Sequence, residues 1–165
     1  MKPTVKAYPH KRFFIEMFTR DIALEDCILD LVDNSVDAIL RTRAVNIEEE
    51  VLASGMGKTL PKRERAQVRV DYGDSRFRIS DNCGGITYDD AVNEVFCFGH
   101  SSDAPKGRLG VYGIGLKRAI FKIGNKIQVE SNTPDSAFRV DIDVEDWAKK
   151  EDRLSDWTFP ITKLG

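Results

Sequence analysis

Between Leu24 and Arg41 two periodicities run along one stretch of chain, and together they leave it little choice of fold. Leu24, Cys27, Ile28, Leu31, Val32, Ala38 and Ile39 recur at three- and four-residue spacing, the pattern of a helix with one apolar face. Asp26, Asp30, Asn34, Asp37 and Arg41 follow four, four, three and four residues apart, so they share a second face. That stripe reads either as the wet side of an amphipathic helix or as a row of hard oxygen donors. Asn34 weighs against the first reading, because asparagine is a poor mid-helix residue drawn to caps and turns. A carboxylate at Asp30 and an amide oxygen at Asn34, one turn apart, can offer a base and a ligand to a hydrated Mg2+. Asp21 is placed to cap an early start of the helix.

Two glycine-containing elements follow. Asp81-Asn82-Cys83-Gly84-Gly85-Ile86 comes directly after an alternating stretch that predicts a strand. Its glycines permit positive φ and close approach of a flat ligand to the backbone. An aspartate at the strand end can accept a hydrogen bond from an exocyclic amine such as adenine N6; a plain Asx turn is the alternative. Further on, Gly110-Val111-Tyr112-Gly113-Ile114-Gly115-Leu116-Lys117 opens a helix. Its glycines expose successive N–H groups and the helix N-terminus adds partial positive charge, an anion cradle suited to phosphates. Lys117 stands in the first helical turn, where its charge opposes the dipole and an anionic ligand would offset the cost. Gly55-Met56-Gly57-Lys58-Thr59 is not a P-loop, since the pattern needs a glycine where Leu52 stands and no strand precedes it.

The remaining chain sets these elements in an α+β frame. Residues 1–11 read as an arm, with Pro3 and Pro9 opposing early regular structure, and a short helix follows from Arg12 to about Phe18. Residues 43–66 read as an inserted loop, punctuated by Gly55, Gly57 and Pro61. Val68 and Val70, then Phe77 and Ile79, alternate on two strands joined at Tyr72-Gly73-Asp74-Ser75. Thr87 is placed to cap a helix to about Phe96. Residues 97–112 form a glycine- and serine-rich loop that includes His100. A helix from Gly113 to about Ile123 is followed by two strands around Pro134-Asp135 and a last strand near Trp157–Ile161. Tyr88, Trp147 and Trp157 are expected to pack. Helices and antiparallel strands interleave without a βαβ rhythm, which predicts a two-layer sandwich of a mixed, mainly antiparallel sheet with helices on one face.

At 165 residues the chain suits one domain, and 41% hydrophobic with 32% charged residues is an ordinary globular balance. A formal net charge of -2 gives no basic footprint for nucleic acid, and Lys62-Arg63-Glu64-Arg65 is interrupted by its glutamate. Cys27, Cys83 and Cys97 are odd in number and form no C-x-x-C pair, which argues against a disulfide framework or a zinc site. No apolar run reaches the ~20 residues needed to span a bilayer, so the expectation is a soluble, cytoplasmic protein without membrane contact.

Taken in order, the three elements resemble the N, G1 and G2 boxes of the GHKL (Bergerat-fold) ATPase superfamily, which includes gyrase, the ninety-kilodalton heat-shock chaperone, histidine kinases and MutL. Asp30-Leu31-Val32-Asp33-Asn34-Ser35-Val36-Asp37-Ala38 is similar to the N box, E-L-[IV]-[DE]-N-[SA]-x-D-A. Asp81 to Gly85 is similar to D-x-G-x-G, and Gly110 to Gly115 to G-x-x-G-x-G. The stretch Phe98-Gly99-His100-Ser101-Ser102 ahead of Tyr112-Gly113-Ile114-Gly115-Leu116-Lys117 is similar to the lid of type IIB topoisomerases and Microrchidia (MORC) ATPases.

The resemblance implies ATP and Mg2+ as ligands. Asn34 would bind the metal, Asp81 the adenine amine, and the amides of Gly110, Val111, Tyr112, Gly113, Ile114 and Gly115 the phosphates. Ser101, Ser102 and Lys117 would assist, while Ala38, Gly85, Ile86 and Leu116 complete the binding set. The implied reaction is slow Mg-assisted hydrolysis with Asp30 as base, in which ATP closes the 97–112 lid and promotes a homodimer within a larger machine. DNA would be met only through further domains or partner proteins.

Three departures qualify the match. The family's base is glutamate and here is Asp30, one methylene shorter; loss of a general base costs ~10²–10⁴ in rate. Cys83 replaces the first G1 glycine. The chain stops at Ile161-Thr162-Lys163-Leu164-Gly165, about where the family shows a final strand and then a transducer domain with a catalytic lysine, so that domain is expected to be missing. Alternatives are a non-hydrolysing ATP sensor and a small GHKL serine kinase resembling anti-sigma factors.

Overall fold

The computed structural model describes residue 5 and residues 9–55, 65–98, 114–150 and 153–165, of which 41–55 and Leu154 are described by backbone alone. Helices α1 (Lys11–Thr19) and α2 (Leu24–Gly55) precede a hairpin of β1 (Val68–Gly73) and β2 (Arg76–Asp81). Helix α3 (Tyr88–Asp90) runs on as a π-helical turn over Ala91–Val95. Helix α4 (Gly115–Ile123), strands β3 (Lys126–Asn132) and β4 (Ala137–Asp143), helix α5 (Val144–Lys149) and strand β5 (Ile161–Leu164) complete the order.

The core lies on one face of the sheet β3–β4–β5. Alternation along β4 turns Phe138, Val140 and Ile142 inward, all at most 3% exposed, while Arg139 and Asp141 face solvent. Register places Val129 and Ile161 either side of Val140, so the apolar face continues across three strands. Helix α4 covers it with Ala119, Ile120 and Phe121, and α5 adds Val144 and Trp147. Phe14 of α1 joins an aromatic cluster, with ring centroids 4.9 Å from Phe98 and 5.2 Å from Trp157; Trp147 and Trp157 lie 5.3 Å apart, edge to face. Trp147 and Trp157 therefore pack, and Lys163 of β5 carries its ammonium over the Tyr88 ring.

The α+β class stands, with helices on the apolar face of the larger sheet. The strands form two antiparallel sheets, β1–β2 and β3–β4–β5, and no parallel pair occurs among the described residues, where a single mixed sheet is expected from sequence. Each hairpin satisfies its ladder internally through a short turn, and the outer sides of β2 and β3 border an open cleft.

Four further expectations are corrected. Helix α2 continues fourteen residues past Arg41, to Gly55, so the first part of the 43–66 insertion is helical. No glycine or proline interrupts residues 24–54, and Ala44, Glu48, Glu49, Glu50 and Leu52 are good helix formers. Residues 56–64 lie outside the described residues. Lys11, placed in the arm, is instead the first residue of α1 and 1% exposed. Its aliphatic stem is buried while the ammonium donates to the Lys150 carbonyl (3.3 Å) and sits 5.2 Å from the Trp147 ring centre. Asp21 binds its neighbour Arg20 (3.2 Å) rather than capping α2, which starts at Leu24. The last strand begins at Ile161, after Pro160, because Trp157 and Phe159 are drawn into the aromatic cluster. Thr87 does cap α3, accepting from the Asp90 amide at 3.1 Å.

Candidate functional site

The N-box-like segment lies on α2, the aspartate–glycine turn at the end of β2, and the last part of the second glycine element at the start of α4. They meet around one cleft of about 2210 Å³, well above the ~300–1,000 Å³ of common small-molecule pockets. Asn34, Asp37 and Ala38 line it from α2, Asp81, Gly85 and Ile86 from the turn, and Leu116 and Lys117 from α4.

Asp81 is held from two sides. Its Oδ1 accepts from the Cys83 amide at 2.8 Å, closing an Asx turn, and its Oδ2 accepts from the Ser35 hydroxyl at 2.8 Å. Ser35 is 5% exposed, in the middle of α2, and spends its proton on a residue 46 positions away. Asn82 fastens the turn to the chain before β1: its Oδ1 accepts from the Gln67 amide (2.7 Å) and its Nδ2 donates to the Arg65 carbonyl (3.1 Å).

The glycines that follow are required by conformation and by space. Gly84 has φ 115° and Gly85 φ 70°, where side chains are disfavoured. A Cβ at Gly85 would stand 2.8 Å from both the Asn132 carbonyl oxygen and the Ser131 hydroxyl. That contact sets the turn on β3. Ser131 Oγ accepts from the Ile86 amide (2.7 Å) and donates to the Ile86 carbonyl (2.9 Å), satisfying both backbone groups with one side chain. Cys83, in the place of a family glycine, is 4% exposed, and burial together with the Asp81 charge pushes its thiol up.

At α4, Gly115 meets Asp30 of α2 in close contact. A Cβ on Gly115 would lie 2.8 Å from Asp30 Cβ and 3.1 Å from its Oδ2, so the carboxyl packs on the first turn of α4. Burial raises the Asp30 pKa, Arg118 draws it partly back, and Asp33 and Asp26 push it further up. Asp30 is half-buried and, among the described residues, is not part of the cleft lining. Lys117 is 3% exposed with its ammonium 5.9 Å from the Phe98 ring centre, and burial pulls its pKa down.

The structure therefore brings Asn34, Ala38, Asp81, Gly85, Ile86, Leu116 and Lys117 to one cleft, while Asp30, Ile114 and Gly115 are not in its lining and Asp30 packs on Gly115. Ser101, Ser102, Gly110, Val111, Tyr112 and Gly113, with most of the 97–112 lid, lie outside the described residues. Sequence reasoning misses Ser35 and Ser131. A serine in mid-helix directly after Asn34, three residues before the apolar Ala38, is the signal that could have found the first; for the second, one polar residue on the inward register of a strand.

Among the described residues no helix is long and apolar enough to cross a membrane, and no group of three His, Cys, Asp or Glu side chains is placed to hold a metal. No curated protein matches the chain. Residues 22–162, which contain all three boxes, match the family model described as histidine kinase-, DNA gyrase B- and HSP90-like ATPase, and by that match the chain belongs to this family of ATP-binding domains.

Proposed function

We propose that the cleft binds ATP together with Mg2+, that hydrolysis is slow, and that ATP closes the 97–112 segment over the phosphates and promotes a homodimer within a larger machine. The observation that carries the reading is the convergence of Asn34, Asp81 and the α4 N-terminus, from three distant segments, on one cleft. Asp81 receives the adenine amine, against Ala38, Gly85 and Ile86. The Gly110–Gly115 amides, Ile114 among them, take the phosphates, with Leu116, Lys117, Ser101 and Ser102 beside them.

The donor chemistry fits Mg2+: Asn34 faces the cleft with a hard amide oxygen, and a cation that keeps phosphate and water as its other ligands needs no protein cage. When bound, Mg2+ neutralises charge on the β- and γ-phosphates. A phosphate beside Lys117 would return its ammonium towards its ordinary pKa.

A second reading, ATP binding without hydrolysis, is favoured by Asp30. Its carboxyl is packed on Gly115, and it is not in the cleft lining. Calorimetric titration with ATP, with and without Mg2+, tests the binding half. Asn34→Ala removes the Mg-dependent part of the affinity, and Asp81→Asn weakens ATP about tenfold or more, the size of one charge-assisted hydrogen bond. Unchanged affinity in both variants overturns the assignment. Phosphate release separates the readings: turnover that is lost in Asp30→Ala with binding retained supports hydrolysis, and a wild-type chain that binds without release supports the sensor.

A further inference from the structure

We propose that Ser35 is a positioning residue that sets base selectivity at the Asp81 end of the cleft. The inference rests on the nucleotide reading above and adds to it the reason one purine would be chosen over another.

A carboxylate can only accept hydrogen bonds, so in the 2.8 Å contact between Ser35 Oγ and Asp81 Oδ2 the serine supplies the proton. Asp81 Oδ1 is tied at 2.8 Å to the Cys83 amide, so both carboxylate oxygens are fixed and the group cannot turn about its χ angles. Asp81 is nonetheless exposed to the cleft, and each oxygen keeps a further lone pair. Ser35 lines the same cleft with its hydroxyl proton committed to Asp81, so it too can offer only lone pairs. At Asp81 and Ser35 the cleft thus presents hydrogen-bond acceptors of fixed geometry. Adenine presents a 6-amino donor there, whereas guanine presents a 6-oxo acceptor, lone pair against lone pair. A site built to pair one hydrogen-bonding group rejects the ligand that leaves it unpaired far more strongly than an apolar pocket can.

Without the serine hydroxyl, Asp81 retains its Asx turn and loses its hold on Oδ2. The carboxylate can then swing from the adenine amine, or turn to meet the N1–H and 2-amino donors of guanine. Selectivity falls from both directions, while the phosphate subsite at α4 is untouched.

The test is calorimetric titration of the full chain with Mg-ATP, Mg-GTP and inorganic tripolyphosphate, for wild type, Ser35→Ala and Ser35→Thr. In S35A the ratio of ATP to GTP affinity falls about tenfold or more with tripolyphosphate affinity unchanged, and S35T, which restores a hydroxyl, recovers the wild-type ratio. Should S35A not fold, Ser35→Cys, similar in shape and a weak donor, replaces it in the same comparison. An ATP/GTP ratio in S35A equal to that of wild type overturns the role of Ser35 while leaving the nucleotide site standing. A wild-type chain that binds neither nucleotide overturns the nucleotide reading and this inference with it.

Discussion

The strand β4 and the hairpin β1–β2 are written in the same alternating pattern, yet they bury it to very different degrees. On β4 the inward residues Phe138, Val140 and Ile142 are covered by two helices and an aromatic cluster. On the hairpin the corresponding face carries Val70, Tyr72, Phe77 and Ile79, of which Tyr72 is 86% exposed and Val70 38%. Alternation sets which residues share a face; what covers that face is decided by elements far away in sequence. The cleft is consequently walled by unequal partners. One side, β3 and α4, belongs to the core, and the other, β2, is held at its C-terminal end through Asp81 on Ser35 and the turn on Ser131.

The sharpest way to break this contrast is to damage the firm wall. Phe138→Ala opens a cavity under a fully buried ring and costs about 3–5 kcal/mol, enough to unfold much of a domain of this size, as measured by urea denaturation. Next comes the joint between the walls. Gly85→Ala forces a side chain into φ 70° and into the Asn132 carbonyl, with an expected loss of about 1–3 kcal/mol and weakened ATP binding by calorimetry.

A smaller effect, of opposite sign, is expected behind the cleft at Asp30. Its folded pKa lies above the ordinary 3.8, so the folded chain binds the proton more tightly than the unfolded one. Stability therefore declines as pH rises through the window from 3.8 to the raised value, and the penalty is complete above it. Asp30→Asn removes that penalty despite the nearby Arg118. Its melting temperature should exceed that of wild type at pH 7, with the gain disappearing below about pH 3.8. The smallest effect belongs to the soft wall: Tyr72→Ser should change stability by no more than about 0.5 kcal/mol. Hydrogen exchange across the same samples should be faster in β1–β2 than in β3–β4, and equal protection would erase the distinction between the walls.

What could be read from sequence follows the same division. Thr87 as a cap, the hairpin around Pro134-Asp135 and the start of α2 at Leu24 are local patterns, and they were legible. The continuation of α2 to Gly55 was hidden because Gly55, Gly57 and Pro61 punctuate the stretch that follows Arg41 as a loop would. Helix α5 is six residues long, too short to display a period, although Asp143 caps it by accepting from the Asp146 amide. Within the candidate site, Asn34, Asp81 and Gly115 carry motif signals. The groups that hold them, Ser35 on Asp81 and Ser131 on Ile86, act across 46 and 45 residues, and no local pattern encodes such a pairing.

The buried Lys11 has a consequence for how the chain reaches this fold. Its ammonium meets the Lys150 carbonyl across 139 residues. Closing a loop of that length in an unfolded chain costs about 4 kcal/mol of entropy, more than the hydrogen bond to that carbonyl returns. The contact can therefore form only after α4 and the β3–β4 hairpin have shortened the path between the ends. It behaves as a late latch: Lys11→Met should leave the folding limb of a chevron plot in place and steepen the escape from the native state by raising the unfolding rate.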